Sequence, residues 1–204
     1  MKRTFAHLTP RYIKNRLLVF WDQYCHPNNP WLTADAVSLL DQLLQSDNVG
    51  VEFGSGRSTL WFVRRIKHLT SIEKNHFWYG LIKKKIDTLN LQSKIDYRFC
   101  ENLDSYINQV NSFDDESIDF CLVDGEGRDN CALLMLPKIK SGGLMVVDNI
   151  NWYLPQEQFF SPNTLRPHDG CASDAWEEFR HKTSSWRKIW TSDGVTDTCI
   201  WIKP

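Results

Sequence analysis

The sequence has little that would tie it to a polyanion, a bilayer or a disulfide framework. Its 204 residues carry 24 lysines and arginines against 25 aspartates and glutamates, a formal net charge of −1. So balanced a chain has no overall field to gather nucleic acid or an anionic membrane, and neither is expected as a partner. No apolar run approaches the roughly 18 residues that a membrane span needs. The six cysteines (Cys25, Cys100, Cys121, Cys131, Cys171, Cys199) form no CxxC pair and no zinc-like spacing. Cys121 and Cys199 fall within apolar strand-like runs, where cysteine acts as a small hydrophobe. The chain starts on polar and charged residues rather than an apolar signal core. A reduced, soluble, cytoplasmic protein is the expectation. Repeats, low-complexity tracts and long linkers are also lacking, so 1–204 is expected to be one domain.

What is present is ordinary in bulk, with 42% hydrophobic and 24% charged residues. Nine tryptophans are the exception. They suit core packing or the wall of a substrate pocket, and packing is the favoured reading because large aromatics dominate cores. Ile13, Leu17, Phe20 and Trp21 recur at helical spacing over Pro10–Cys25. Thr33 stands as an N-cap before Ala36, Val37, Leu40 and Leu43. These two helices make 1–46 an N-terminal helical cap on a core spanning 47–204.

In the core, strands over 49–53, 68–72, 94–99, 117–123 and 143–147 alternate with helices over 58–67, 76–89, 103–110 and 130–139. Segments 186–190 and 198–202, joined by a turn-rich Ser192-Asp193-Gly194, close the chain as an antiparallel pair. The predicted fold is α/β: a Rossmann-like, mostly parallel seven-stranded sheet with helices on both faces and a C-terminal antiparallel hairpin.

Strand 49–53 runs into Gly54-Ser55-Gly56 and then a helix beginning near Ser58 and Thr59. Glycines let the backbone approach a ligand, and the helix N-terminus offers unpaired N–H groups. The third glycine of a dinucleotide fingerprint is missing. Glu52, two residues before Gly54, is an acid of little use to a pyrophosphate, whereas a cationic sulfonium bearing an α-amino group gains from it. Glu73, followed by Lys74 at the end of the second strand, is placed to accept both ribose hydroxyls. S-adenosylmethionine (SAM) is therefore the predicted cofactor. An NAD-type oxidoreductase and a catalytically idle SAM-fold subunit are the alternatives.

The run from Val51 to Ser58, Glu73, and the Cys100-Glu101-Asn102 segment after the third strand resemble class I SAM-dependent methyltransferases over roughly 30–204. The resemblance implies that Cys100, Glu101 and Asn102 border the adenine. It also implies that Asp124 and Gly125, past the fourth strand, reach the cofactor. Asp148-Asn149-Ile150-Asn151-Trp152 after the fifth strand is similar to the metal-dependent O-methyltransferases of catechols and caffeoyl-CoA. That likeness implies Asp124, Asp148 and Asn149 as ligands of Mg²⁺ or another divalent cation, and Thr33 as a cofactor-facing residue. The lysine those enzymes carry after the strand-four acid is absent; Gly127 or Arg128 stands there, and Arg128 is the cation available to substitute for it in part. The other reading takes both acids as metal-free strand-end carboxylates. Glu126 and His168 are candidate bases. Segment 153–173, with Pro155, Pro162, Pro167, Phe159 and Phe160, reads as a lid. The expected reaction moves a methyl group to a small-molecule acceptor, foremost to a hydroxyl oxygen, and homodimerisation is left open.

Overall fold

In the computed structural model, which describes residues 9–158 and 161–204, seven strands form one sheet. They are β1 (Val49–Phe53), β2 (His68–Glu73), β3 (Ile95–Phe99), β4 (Ile118–Val123), β5 (Ile139–Asp148), β6 (Arg187–Ser192) and β7 (Asp197–Ile202). Their order is β3-β2-β1-β4-β5-β7-β6. β1 to β5 are mutually parallel, and β7 enters antiparallel between β5 and β6. The order reverses between β1 and β4, which opens a crevice beyond their carboxyl ends. An antiparallel β7 at this place departs from the dinucleotide-binding order 3-2-1-4-5-6 and counts against the NAD alternative.

Alternate side chains of the strands feed two cores. Val51, Phe53, Cys121, Val123, Met145 and Val147 pack against α6 (Arg128–Met135) and α7 (Asp174–Lys182). Leu69, Phe120, Leu122 and Val146 meet α2 (Ala34–Leu43), α3 (Arg57–Phe62) and α4 (His76–Thr88) on the other face. The tryptophans divide accordingly. Trp176 and Trp201 are buried and flank Phe179 edge-on, with ring centroids 5.3 and 5.1 Å from it. Trp31 and Trp21 stay exposed.

Several boundaries differ from the spacing. α3 stops at Phe62 because Lys67 and His68 already donate to the Asn48 carbonyl as the chain enters β2. The helix expected over 103–110 is α5 (Leu103–Ile107), with a 3₁₀ turn completing it. β5 begins at Ile139, four residues early, and passes a register shift opposite β4. α7 follows Ser173, whose hydroxyl caps it at the Trp176 N–H; its polar surface hid it from the apolar count.

The N-terminal helix α1 (Pro10–Cys25) is capped by Thr9, which accepts from the Tyr12 N–H, and buries no side chain. Ile13, Leu17, Phe20, Trp21 and Tyr24 are exposed. No helix among the described residues is long and apolar enough to cross a membrane. Segment 153–173 is held by backbone bonds from Leu165 to the Asn151 carbonyl, Gln156 to Leu165 and Ala172 to Tyr153. Phe159 and Phe160 lie outside the described residues.

Of two buried polar groups, Thr33 ties the N-terminal helices to the sheet and Glu52 ties α3 to β1 and β2. Thr33 caps α2 by accepting from the Ala36 N–H, and its hydroxyl meets that of Thr191. Its N–H donates to Thr198 Oγ1 at 3.2 Å, and that hydroxyl donates to Asp148 Oδ1 at 2.6 Å. With its hydroxyl so engaged, Thr33 faces the sheet edge, not the cofactor crevice: the expected cofactor contact is corrected to an anchoring one. Glu52 points from β1 beneath α3, fully buried. Its Oε2 accepts from the hydroxyls of Thr59 (2.6 Å) and Ser71 (2.7 Å), while Oε1 has no partner. Burial pushes its carboxyl from the ordinary 4.5 up to about 7, against hydrogen bonds that pull it down.

Two outcomes follow. Thr33→Val should cost about 1 to 2 kcal/mol through the lost cap and the stranded hydroxyl partner, read as a lower Tm; an unchanged Tm would remove Thr33 from the anchor. For Glu52 the folded value lies above the unfolded one, so its stabilising contribution is whole below about pH 4.5 and fades as pH rises through about 7. Glu52→Gln should therefore gain about 1 to 3 kcal/mol relative to wild type between pH 5 and pH 8 in urea titrations. Parallel pH profiles for the two proteins would contradict a neutral, buried Glu52.

Candidate active site

The crevice is floored by a backbone contact. Gly54 leaves β1 at φ +96°, and its N–H donates to the Ile72 carbonyl at 2.9 Å. A Cβ on Gly54 would stand 2.6 Å from the Gly125 nitrogen, and one on Gly125 would stand 2.0 Å from the Tyr106 hydroxyl oxygen. The ends of β1 and β4 thus touch backbone to backbone, an approach open only to glycine.

Above this floor lies a cavity of about 420 Å³ lined by Gly54, Ser55, Glu73, Lys74, Asn75, Phe77, Trp78, Tyr106, Asp124, Gly125, Glu126 and Arg128. Glu73 is 7% exposed. Its Oε2 accepts from the Ser55 N–H (3.0 Å) and hydroxyl (2.7 Å). Its Oε1 accepts from the N–H groups of Lys74 (2.8 Å) and Asn75 (2.7 Å). The carboxylate is held rigidly at the end of β2, with one exchangeable hydroxyl among its donors. Lys74 Nζ and Glu126 Oε2 pair at 3.0 Å between the ends of β2 and β4. The Trp78 indole donates to the Ser55 carbonyl, and its ring stacks on Trp31 at 6.4 Å.

A second cavity of about 560 Å³ lies on the β5 side. Tyr12, Arg16, Val19 and Gln23 of α1 form one wall, with Trp31, Trp152, Pro162, Asn163 and Thr196 around it and Asp124, Asp148 and Asn149 lining it too. Asp124 lines both cavities. A ligand in one and a ligand in the other would meet there.

The charges at this junction are organised by Arg128, the first residue of α6. Its Nη2 pairs with Asp124 Oδ1 at 2.9 Å and donates to the Asp124 carbonyl at 2.7 Å. Nε donates to the Gly125 carbonyl at 2.9 Å. Nη1 donates to Asn149 Oδ1 at 3.1 Å and to the Asp148 carbonyl. Burial raises the Asp148 carboxyl well above the usual range, Asp124 adds to the rise, and Arg128 and Thr198 oppose it. Asp124 is raised by burial and lowered by Arg128.

The donor set does not fit the divalent ion that the resemblance implies. Asp124 Oδ1 and Asn149 Oδ1 are taken by the guanidinium, and the Asn149 amide donates to Thr196 Oγ1. Among the described residues no group of three His, Cys, Asp or Glu side chains could hold a metal.

The structure thus brings Gly54, Ser55, Glu73, Lys74, Asp124, Gly125 and Glu126 round one cavity and Asp124, Asp148 and Asn149 round the other. Others are elsewhere. His168 has an 81% exposed side chain beside Asp169 (3.6 Å), lines neither cavity, and is withdrawn as a candidate base. Glu52 does not reach either cavity, because the hydroxyls of Thr59 and Ser71 hold it under α3. Ser58 is buried within α3, and Gly56 caps that helix, its N–H donating to Thr59 Oγ1. Cys100 is buried with its N–H on the Glu73 carbonyl, Asn102 caps α5, and Glu101 is exposed; none lines the cavity. Trp78, Tyr106 and the inner face of α1 escaped the sequence. Trp78 and Tyr106 carry no polar motif that sets them apart from core aromatics, and nothing local marks which face of α1 turns inward.

No protein-family model matches the chain, and no curated protein sequence matches it. Solved structures do. A Staphylococcus aureus protein provisionally described as a caffeoyl-CoA O-methyltransferase superposes with a TM-score of 0.62 at 17% identity, covering 94% of this chain and 100% of that one. An O-methyltransferase from Bacillus cereus, solved with S-adenosylhomocysteine (SAH), gives 0.60 at 18% identity over 93% and 91%. The O-methyltransferase TomG from Streptomyces achromogenes, solved with SAM and involved in tomaymycin synthesis, gives 0.56 at 13% over 82% and 77%. With its parallel core, its antiparallel β7 and a match over more than nine-tenths of its length to the first two of these structures, the chain has the fold of the class I methyltransferases.

Proposed function

We propose that this protein is a SAM-dependent methyltransferase acting on a small molecule, with a hydroxyl oxygen as the acceptor atom. The observation that carries the reading is the pair of cavities meeting at Asp124, beyond the carboxyl ends of β1, β4 and β5. Group transfer needs two ligands aligned across one junction, and methyl transfer needs little else, since the sulfonium is already activated.

In this reading Glu73 takes the ribose hydroxyls, exchanging the Ser55 hydroxyl for those of the nucleoside. Gly54, Ser55 and Gly125 give the backbone floor, and Lys74 with Glu126 borders the cofactor. The acceptor lies against Trp31, Trp152 and α1. Its oxygen attacks the methyl carbon as the carbon–sulfur bond breaks, leaving SAH, and its proton passes to a carboxylate of the acceptor cavity. Asp148 suits that part, because burial raises its proton affinity above that of a solvated acid. The SAM and SAH complexes among the similar structures support the cofactor, and their O-methyltransferase descriptions support the oxygen acceptor.

Thermal melts with SAM, SAH and NAD test the cofactor. SAM or SAH at about a hundred times its Kd should add about 2.7 kcal/mol of apparent stability, and NAD none. Glu73→Ala should remove the response to SAH while leaving a folded protein. A response to NAD alone, or an unchanged SAH response in Glu73→Ala, would overturn the assignment. Incubation with SAM and a panel of phenols and alcohols then separates an enzyme, which forms SAH, from an idle binding subunit.

A further inference from the structure

The acids past β4 and β5 resemble a metal-binding set, yet a side chain of this chain already occupies their shared oxygens. Arg128 has five N–H groups and five contacts. Two are with Asp124 (Oδ1 at 2.9 Å and its carbonyl at 2.7 Å), and one is with the Gly125 carbonyl at 2.9 Å. The last two are with Asn149 Oδ1 at 3.1 Å and the Asp148 carbonyl. The side chain is 13% exposed, so these are bonds made in a desolvated place.

An ion bridging Asp124, Asp148 and Asn149 would have to dislodge the guanidinium from Asp124 Oδ1 and Asn149 Oδ1. It would strand buried N–H groups and face a like charge at contact distance. The carbonyls of Asp124, Gly125 and Asp148 would lose their donor as well. Arg128 is suited to the task because its planar fork is always protonated and satisfies several oxygens at once. The missing lysine after the strand-four acid belongs to the same exchange: the cation bound to these oxygens sits one helical turn beyond Asp124 and folds back onto it.

We propose that Arg128 is the resident cation of this site, filling the place in which a divalent ion would otherwise join Asp124, Asp148 and Asn149, so that the acceptor cavity binds no divalent metal. The acceptor is then held by direct hydrogen bonds and aromatic contact. A vicinal diol, which a metal would chelate through two oxygens, has no advantage over a single hydroxyl. This deepens the methyltransferase reading at the same site, but its test uses the chain without SAM, so that the two can fail separately.

The probe is Mn²⁺, titrated into the full chain and followed by electron paramagnetic resonance of the free ion. Wild type should show no saturable binding up to millimolar Mn²⁺. Arg128→Gln, shown to be folded by circular dichroism, should bind at least about tenfold more tightly, and adding Asp148→Asn should abolish that gain. A role in folding alone would not create an ion site. Saturable binding to wild type that Asp148→Asn removes would overturn the proposal, as would a folded Arg128→Gln that binds no better than wild type. Should Arg128→Gln not fold, the comparison of wild type with Asp148→Asn still decides the matter.

Discussion

The approach of Gly54 to Gly125 is the constraint on which the site depends. Two parallel strands must end within backbone contact, with no side chain between them, before a crevice can open above. The contact turns the β4 loop so that Asp124 stands between the two cavities. It also sets Arg128 at the start of α6, in reach of the end of β5. A Cβ at either glycine would force these loops apart, and the effect would reach Asp148 and Asn149 through the guanidinium.

Polar burial around the crevice follows one pattern, in which every acid is claimed by a neighbour. Glu73 is wrapped by the Ser55 hydroxyl and three backbone N–H groups, Asp148 holds Thr198, and Glu52 holds Thr59 and Ser71. Low local dielectric makes such networks costly when incomplete and rigid when complete. Rigidity is what alignment of two substrates demands. The unpartnered Oε1 of Glu52 is the exception, and burial keeps that carboxyl readily protonated.

The sheet was legible because buried parallel strands such as 117–123 are short and almost wholly apolar, and because Gly-Ser-Gly punctuates β1. Thr33 was correctly read as a cap, since N-capping is local chemistry; that its hydroxyl is engaged by Thr191 was not, since that partner is 158 residues away. Glu52 and Glu73 looked alike as strand-end acids. Position along the strand separates them: Glu52 lies inside β1 opposite Ser71 and is covered by α3, while Glu73, on the same face, is the last residue of β2 and stands at the crevice. His168 drew notice as a histidine in an unread loop, where only three-dimensional placement tells a base from a solvated side chain. Arg128 was visible as a cation to stand in partly for the expected lysine, but not as the holder of five acceptors, because these come from four residues on two strand ends.

The helix α1 supplies a wall of the β5-side cavity while burying none of its side chains. Its inward residues Tyr12, Arg16, Val19 and Gln23 can therefore be exchanged without opening a hole in either core, whereas Gly54, Gly125 and Arg128 cannot. For the proposed methyltransferase, selectivity and fold integrity would be written in separate parts of the chain: drift along one helix face would retune the acceptor at small cost in stability and leave the crevice unchanged.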